Sequence, residues 1–193
     1  LVGTAVAHAH GGIALLPASA AAVGSILIQI ATNLANDYFD HKKGADNADR
    51  IGPARAVQQG WIAPQAMLTA TIAVLGLALM VGTYLIAVGG APIAAIGLAS
   101  LVCAVAYTGG PLPLAYVGLG DVFVFGFFGL AAVVGTVWVQ VLAAPPAAWL
   151  GGVCMGLLAT AILVVNNLRD RVTDAAANKR TLAVRFGPRV ARW

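Results

Sequence analysis

The chain has 193 residues, 60% of them hydrophobic and 9% charged, with a mean hydropathy of +0.89 and a formal net charge of +4. That composition excludes an ordinary soluble domain and describes an integral membrane protein. The basic surplus calls for no nucleic acid. Every charged residue lies in Asn36 to Trp61, at Asp121, or in Arg169 to Trp193, where anionic lipid headgroups account for it.

In chain order, the apolar runs predict the remnant of a helix, Leu1 to Ala9, and then five complete transmembrane helices. These are Gly12 to Leu34, Ile62 to Val88, Ala91 to Tyr107, Val122 to Leu142 and Ala147 to Val165. Each is close to the ~17–25 residues a helix needs to cross a hydrocarbon core. The runs read as spans rather than as a cleaved targeting sequence. Leu1 is not a Met and the chain stops in a basic segment, so residues 1–193 read as one transmembrane domain, incomplete at both ends. The connections Val88 to Ala91 and Ala143 to Pro146 carry no charge. Two predicted spans separate each charged site from the next, so all three share one face, and the positive-inside rule makes it cytoplasmic.

Two constellations on that face match. The first reads Asn33-Leu-Ala-Asn36-Asp37-Tyr-Phe-Asp40 and the second Asn166-Asn167-Leu-Arg169-Asp170-Arg-Val-Thr-Asp174. In each, an Asn precedes an Asp by four positions and another Asp follows by three or four, so the side-chain oxygens share a helical face. Each closes an apolar helix at its cytoplasmic end. The two helices run in the same direction, which makes a parallel pseudo-repeat.

Stacked carboxylates repel one another unless a cation lies between them. Mg²⁺ takes hard oxygen ligands, keeps several waters and is usually held by one or two carboxylates together with substrate phosphates. Asp37, Asp40, Asp170 and Asp174 are therefore the candidate metal ligands, placed to clamp a diphosphate from two sides. Lys42, Lys43, Arg50, Arg55, Arg169, Lys179 and Arg180 add positive charge around them. A single interfacial Asp paired with Lys or Arg needs no metal; the duplicated pattern is what argues for one.

With these motifs the chain resembles the UbiA-type membrane prenyltransferases, and within them the menaquinone branch, whose members prenylate 1,4-dihydroxy-2-naphthoate. The first motif, Asn36-Asp37-Tyr38-Phe39-Asp40, runs on through His-Lys-Lys-Gly-Ala-Asp46 to Arg50-Ile-Gly52-Pro53-Ala-Arg55-Ala-Val-Gln-Gln-Gly60. The middle loop is Tyr107-Thr-Gly-Gly-Pro-Leu-Pro-Leu-Ala-Tyr116-Val-Gly-Leu-Gly-Asp121. The second motif continues into Lys179-Arg180-Thr181-Leu182. The resemblance covers nearly the whole chain, with the motifs in family order. It departs at Gly44, where the superfamily pattern has a third Asp and this chain offers Asp46 instead. It also departs at Asn178, where a Gly is usual; Asn tolerates the left-handed conformation a helix end requires.

The resemblance implies an all-α polytopic transmembrane helical bundle of nine helices when complete. It implies a Mg²⁺-dependent enzyme that takes a polyprenyl diphosphate and 1,4-dihydroxy-2-naphthoate, releases CO₂ and gives demethylmenaquinone. Catalytic and metal roles fall to Asp37, Asp40, Asp170 and Asp174. Substrate contacts fall to Asn33, Asn36, Lys42, Arg50, Arg55, Tyr107, Asn166, Asn167, Arg169 and Lys179, with Arg50 and Arg55 favoured for a substrate anion. Tyr38, Phe39, Tyr107, Phe125 and Phe128 are candidates to shield an allylic cation. The implied location is a bacterial cell membrane, with the lipid bilayer as partner and the active face cytoplasmic.

The nearest alternative is a relative with another aromatic acceptor, homogentisate or 4-hydroxybenzoate. A secondary transporter is the alternative of a different class, opposed by Asp residues that gather at one mouth in a parallel rather than inverted repeat. Other residues carry less. His8 and His10 read as a solvated or lipid-facing pair and His41 as interfacial. Cys103 and Cys154 read as free thiols, and Trp61, Trp138 and Trp149 as interfacial anchors. Pro17 is expected to kink its helix.

Overall fold

A computed structural model describes residues 1–46 and 51–190, without the side chain of Val190, and is all-α over that range. The helices are α1 (Val2–Ala9), α2 (Leu15–Lys42), α3 (Pro64–Ala106), α4 (Gly120–Val141), α5 (Pro146–Arg169), α6 (Arg171–Ala176) and α7 (Leu182–Val190). Four of them, α2 to α5, are long and apolar enough to cross a bilayer. In hydrocarbon a helix satisfies every backbone group within its own segment, which is why these runs of Ala, Leu, Val and Ile take that form.

Proline marks the helix starts. Pro64 and Pro146 open α3 and α5 after extended Ala63 and Pro145, using a position whose N–H has no helical partner. Helix α2 begins at Leu15, later than expected, which places Pro17 in the first turn. There it removes no helical hydrogen bond, so the kink expected of it is not formed.

At ~1.5 Å per residue, the 43 residues of α3 are about twice as long as a hydrocarbon core is thick. The helix is broken at Gly90, whose φ of 67° and ψ of −152° suit only glycine, with Pro92 just beyond. Two segments result, 64–89 and 91–106, divided where the uncharged connection was expected. The carbonyl of Gly89, released by the break, accepts a hydrogen bond from the Trp138 indole at 2.8 Å. Trp138 is thus half-buried against α3, with its indole N–H held by the backbone there.

Helix α2 packs along α3, and α4 crosses α5. At that crossing a Cβ on Gly129 would lie 2.4 Å from the Gly152 carbonyl oxygen and 2.5 Å from the Gly156 Cα, so only glycine allows the approach. Within α4, Phe125–Ala131 forms a π-helical turn. The short α1 lies against the far half of α4, where Ala7, Val137 and Ala148 are fully buried. Leu77, Met80, Leu157, Leu158, Ile162 and Val165 are exposed and give the bundle a hydrocarbon surface.

At its C-terminal, charged end α5 is interrupted at Asp170 and α6 follows. Helix α6 closes with the Lys179 amide donating to the Asp174 carbonyl at 2.8 Å and the Asn178 amide to the Ala175 carbonyl at 3.2 Å. Asn178 is left-handed, with φ 56°, and fills the place where a glycine is usual.

Candidate functional site

Helix α2 stays regular through Lys42, so Asn33, Asn36, Asp37 and Asp40 ride on one rigid rod. Their partners differ. Asn36 Oδ1 accepts a hydrogen bond from the Thr108 hydroxyl at 2.9 Å, and Asp40 Oδ1 accepts one from the Tyr116 hydroxyl at 2.8 Å. Both Asp37 oxygens are taken by backbone: Oδ2 accepts from the Ala56 amide at 3.0 Å and Oδ1 from the Val57 amide at 3.2 Å. Asp37 therefore anchors the loop that carries Arg55. Arg55 in turn pairs with the buried Asp46, Nε to Oδ2 at 3.7 Å.

The loop between α3 and α4 ties the two motifs together. The Lys43 ammonium donates to the Thr108 carbonyl and stands 4.5 Å over the Tyr116 ring. Lys179 lies over the same ring at 5.7 Å. The Tyr116 carbonyl accepts from the Arg180 amide at 3.0 Å, and the Val117 carbonyl from the Arg185 guanidinium at 2.9 Å. Burial, the charge of Asp40 and the hydrogen bond to it hold the Tyr116 phenol above its ordinary pKa. Tyr107 is also raised, by burial first and then by Asp121, Asp40 and Asp174.

In the second motif Arg169 forks onto Asp170, with Nε to Oδ1 and Nη2 to Oδ2 both at 2.7 Å. Lys179 Nζ lies 3.7 Å from Asp174 Oδ1. Asp170 and Asp174 thus each have a cation beside them.

A cavity of about 940 Å³ opens between these elements. Its wall includes Asn33, Asn36 and Asp40 from the first motif and Asn166, Asn167, Arg169, Asp170 and Asp174 from the second, with Arg55, Tyr107 and Lys179. Asp37 and Lys42 do not line it; Lys42 is exposed, with its ammonium 5.9 Å from the Tyr38 ring. Arg50 lies outside the described residues. Of the aromatic candidates, Tyr107 and Phe128 line the cavity, whereas Phe39 packs on Gly109 and Phe125 on Gly156. Phe123 and Phe127 take up wall positions instead. Cys103, which lines the cavity, and Cys154, which does not, are free thiols, and away from this wall His10 Nδ1 lies 2.9 Å from the Val6 carbonyl.

Among the described residues no three His, Cys, Asp or Glu side chains converge as a ready metal cage. The donors at the mouth are carboxylates and amide carbonyls, all hard oxygens, and they suit an ion that draws its remaining ligands from water and a phosphate-bearing substrate.

Thr108, Tyr116 and Arg185 are the structural participants that motif reasoning passes over. Their signal was weak, since they make contacts across the sequence rather than along a helix face.

The model of the UbiA prenyltransferase family matches residues 1–193. The chain is 42% identical over 198 residues to 1,4-dihydroxy-2-naphthoate octaprenyltransferase of Escherichia coli (strain K12), covering 100% of this chain and 64% of that protein. The protein of the same name from Haemophilus influenzae is 41% identical over 169 residues, covering 84% of this chain and 55% of the relative. That of Bacillus subtilis (strain 168) is 33% identical over 187 residues, covering 97% and 60%. The chain thus spans less than two thirds of the length of these relatives.

Proposed function

The chain belongs to the UbiA prenyltransferase family, and from that premise we propose that it forms the diphosphate-binding part of a 1,4-dihydroxy-2-naphthoate polyprenyltransferase. The observation that carries this is the single cavity with both Asn/Asp motifs at its mouth and Ile28, Leu85, Ile93 and Leu101 along its interior. An amphipathic donor with a charged head and a long hydrocarbon tail matches that division. The names of the relatives supply the acceptor.

Asp40, Asp170 and Asp174, with the amide oxygens of Asn36, Asn166 and Asn167, would hold Mg²⁺. Asp37 accepts one backbone hydrogen bond at each oxygen, which leaves each oxygen a lone pair with which it would join them. When bound, Mg²⁺ supplies positive charge for the departing diphosphate. Arg169 and Lys179 stand beside it and reinforce that charge in a site of low polarity.

The apolar wall keeps water from the allylic centre as the C–O bond breaks and its electron pair leaves with the diphosphate. The ring faces of Phe123, Phe127, Phe128 and Tyr107 shield the cation. Arg55, held at the mouth by the loop that Asp37 anchors, receives the acceptor's carboxylate. A ring carbon of the acceptor forms the new C–C bond, and the carboxyl group leaves as CO₂. We read α3 as two crossings, which makes five with α2, α4 and α5, and the charged face as the cytoplasmic side of a bacterial cell membrane.

The test uses the full-length protein in membranes: transfer of a radiolabelled prenyl group to 1,4-dihydroxy-2-naphthoate, with and without Mg²⁺, for wild type, Asp40→Asn and Asp170→Asn. Mg²⁺-dependent product lost in both variants is expected. Product only with a different phenol would remove the acceptor assignment and keep the chemistry; no diphosphate release with any phenol would remove both.

A further inference from the structure

One carboxylate in the cavity wall belongs to neither motif. Asp121 opens α4, is only 7% exposed and lines the cavity, yet its buried Oδ1 meets no hydrogen-bond donor among the described residues. Its place in the first turn of α4 favours a negative charge through the helix dipole. That does not satisfy the oxygen. A buried acceptor left without a donor is a standing cost, and such groups are found where a ligand supplies what the protein omits.

The neighbour of Asp121 is Tyr107. Gly120 has no side chain, and a Cβ there would lie 3.0 Å from the Tyr107 hydroxyl oxygen, so the phenol reaches the start of α4. Tyr107 lines the same cavity as Asp121, Asp40 and Asp174, so its hydroxyl shares one wall with the diphosphate mouth and with Asp121. From the same helix as Asp121, Phe123 and Phe127 line the cavity with their rings stacked at 6.1 Å and 16°. An aromatic wall, a hydroxyl donor and an unsatisfied carboxylate together suit a hydroxylated aromatic ring.

We infer that Asp121 and Tyr107 form the subsite for a phenolic hydroxyl of the acceptor, with Asp121 accepting its O–H hydrogen bond and so enriching the ring carbon that attacks. This rests on the prenyltransferase reading above. It adds a catalytic residue in contact with the acceptor rather than with the diphosphate. It also explains how one cavity sorts its two substrates: the donor by the paired motifs, the acceptor by the start of α4.

The experiment compares wild type, Asp121→Asn and Asp121→Glu in the full-length protein in membranes. The acceptors are 1,4-dihydroxy-2-naphthoate and its two monomethyl ethers. For Asp121→Asn the acceptor's kcat/KM is expected to fall ~10–100-fold, and the wild-type preference for the free hydroxyl over one methyl ether to collapse. The KM for prenyl diphosphate and the Mg²⁺ requirement should stay as in wild type, and Asp121→Glu should restore part of the preference. Unchanged acceptor kinetics in Asp121→Asn, or an equal loss in the KM for prenyl diphosphate, would overturn the assignment. If wild type prenylates another phenol and not the naphthoate, the acceptor named above falls, while the same comparison on that phenol still decides Asp121. Absence of transfer to any phenol overturns both.

Discussion

Replacing Asp37 with Asn separates two roles that its position in the first motif superimposes. The carboxylate accepts two backbone N–H groups, at 3.0 and 3.2 Å. Hydrogen bonds to a charged acceptor contribute ~1.5–3 kcal/mol each. Asn keeps one acceptor oxygen and turns an NH₂ donor toward the second amide, so one bond is lost and a donor faces a donor. The cost to loop docking is therefore about 2–4 kcal/mol, a ~30- to 1000-fold increase in the open population of that loop. Limited proteolysis of the purified full-length protein in detergent measures this directly, through cleavage between residues 51 and 63. Asp37→Asn should be cut much faster than wild type, whereas Asp40→Asn, whose partner is Tyr116, should leave that loop protected. With Arg55 displaced, the KM for a carboxylate-bearing acceptor should rise in Asp37→Asn. Wild-type protection of the loop in Asp37→Asn, combined with a Mg²⁺ requirement shifted as in Asp40→Asn, would refute loop anchoring and leave Asp37 as a metal ligand.

Tyr116→Phe removes the hydroxyl from Asp40 and should lower activity at limiting Mg²⁺ by ~10-fold or more, read from Mg²⁺ titrations of transfer. Because the Tyr116 phenol is raised in the folded protein, its contribution is complete below the ordinary tyrosine pKa of about 10 and is lost as pH climbs above it; unfolding midpoints should fall across that alkaline range, less steeply in Tyr116→Phe. Gly129→Ala drives a methyl group into the Gly152 carbonyl and should destabilise the α4–α5 crossing by ~1–3 kcal/mol, seen as a lower thermal midpoint in detergent. Asn178→Gly keeps the left-handed turn and should be neutral or slightly stabilising, whereas Asn178→Val should cost ~1–2 kcal/mol in the same assay.

Hydropathy made the all-α membrane plan and the place of the break in α3 legible, although α3 is one of four candidate spans rather than two of five. Gly89, Gly90 and Pro92 interrupt an apolar run that composition alone would have left continuous. Periodicity also placed Asn33, Asn36 and Asp40 on one face, and these do line the cavity. At ~100° per residue Asp37 falls at the edge of that face, close enough for a pattern to include it and far enough to be claimed by the backbone of Ala56 and Val57. The aromatic wall was misread at Phe125 because the π-helical turn of Phe125–Ala131 adds a residue to the repeat and shifts which rings face inward. Tyr116 was invisible for another reason: its bonds to Asp40, 76 positions away, and to Arg180 depend on tertiary closure and leave no local pattern. Pro17 was misjudged through a helix start misplaced by a few residues, which turned a first-turn proline into an interior one.

The loop between α3 and α4 grips its neighbours largely through main-chain oxygens: Thr108 for Lys43, Tyr116 for Arg180 and Val117 for Arg185. Such a segment works as a ruler, because its length sets the gap between the two acidic motifs while most of its side chains are free to vary. Substitutions there should drift with little consequence outside Tyr107, Thr108, Tyr116 and the glycines Gly109, Gly110 and Gly118. A single inserted or deleted residue would change the width of the mouth, and with it the size of the charged group that fits between the two halves.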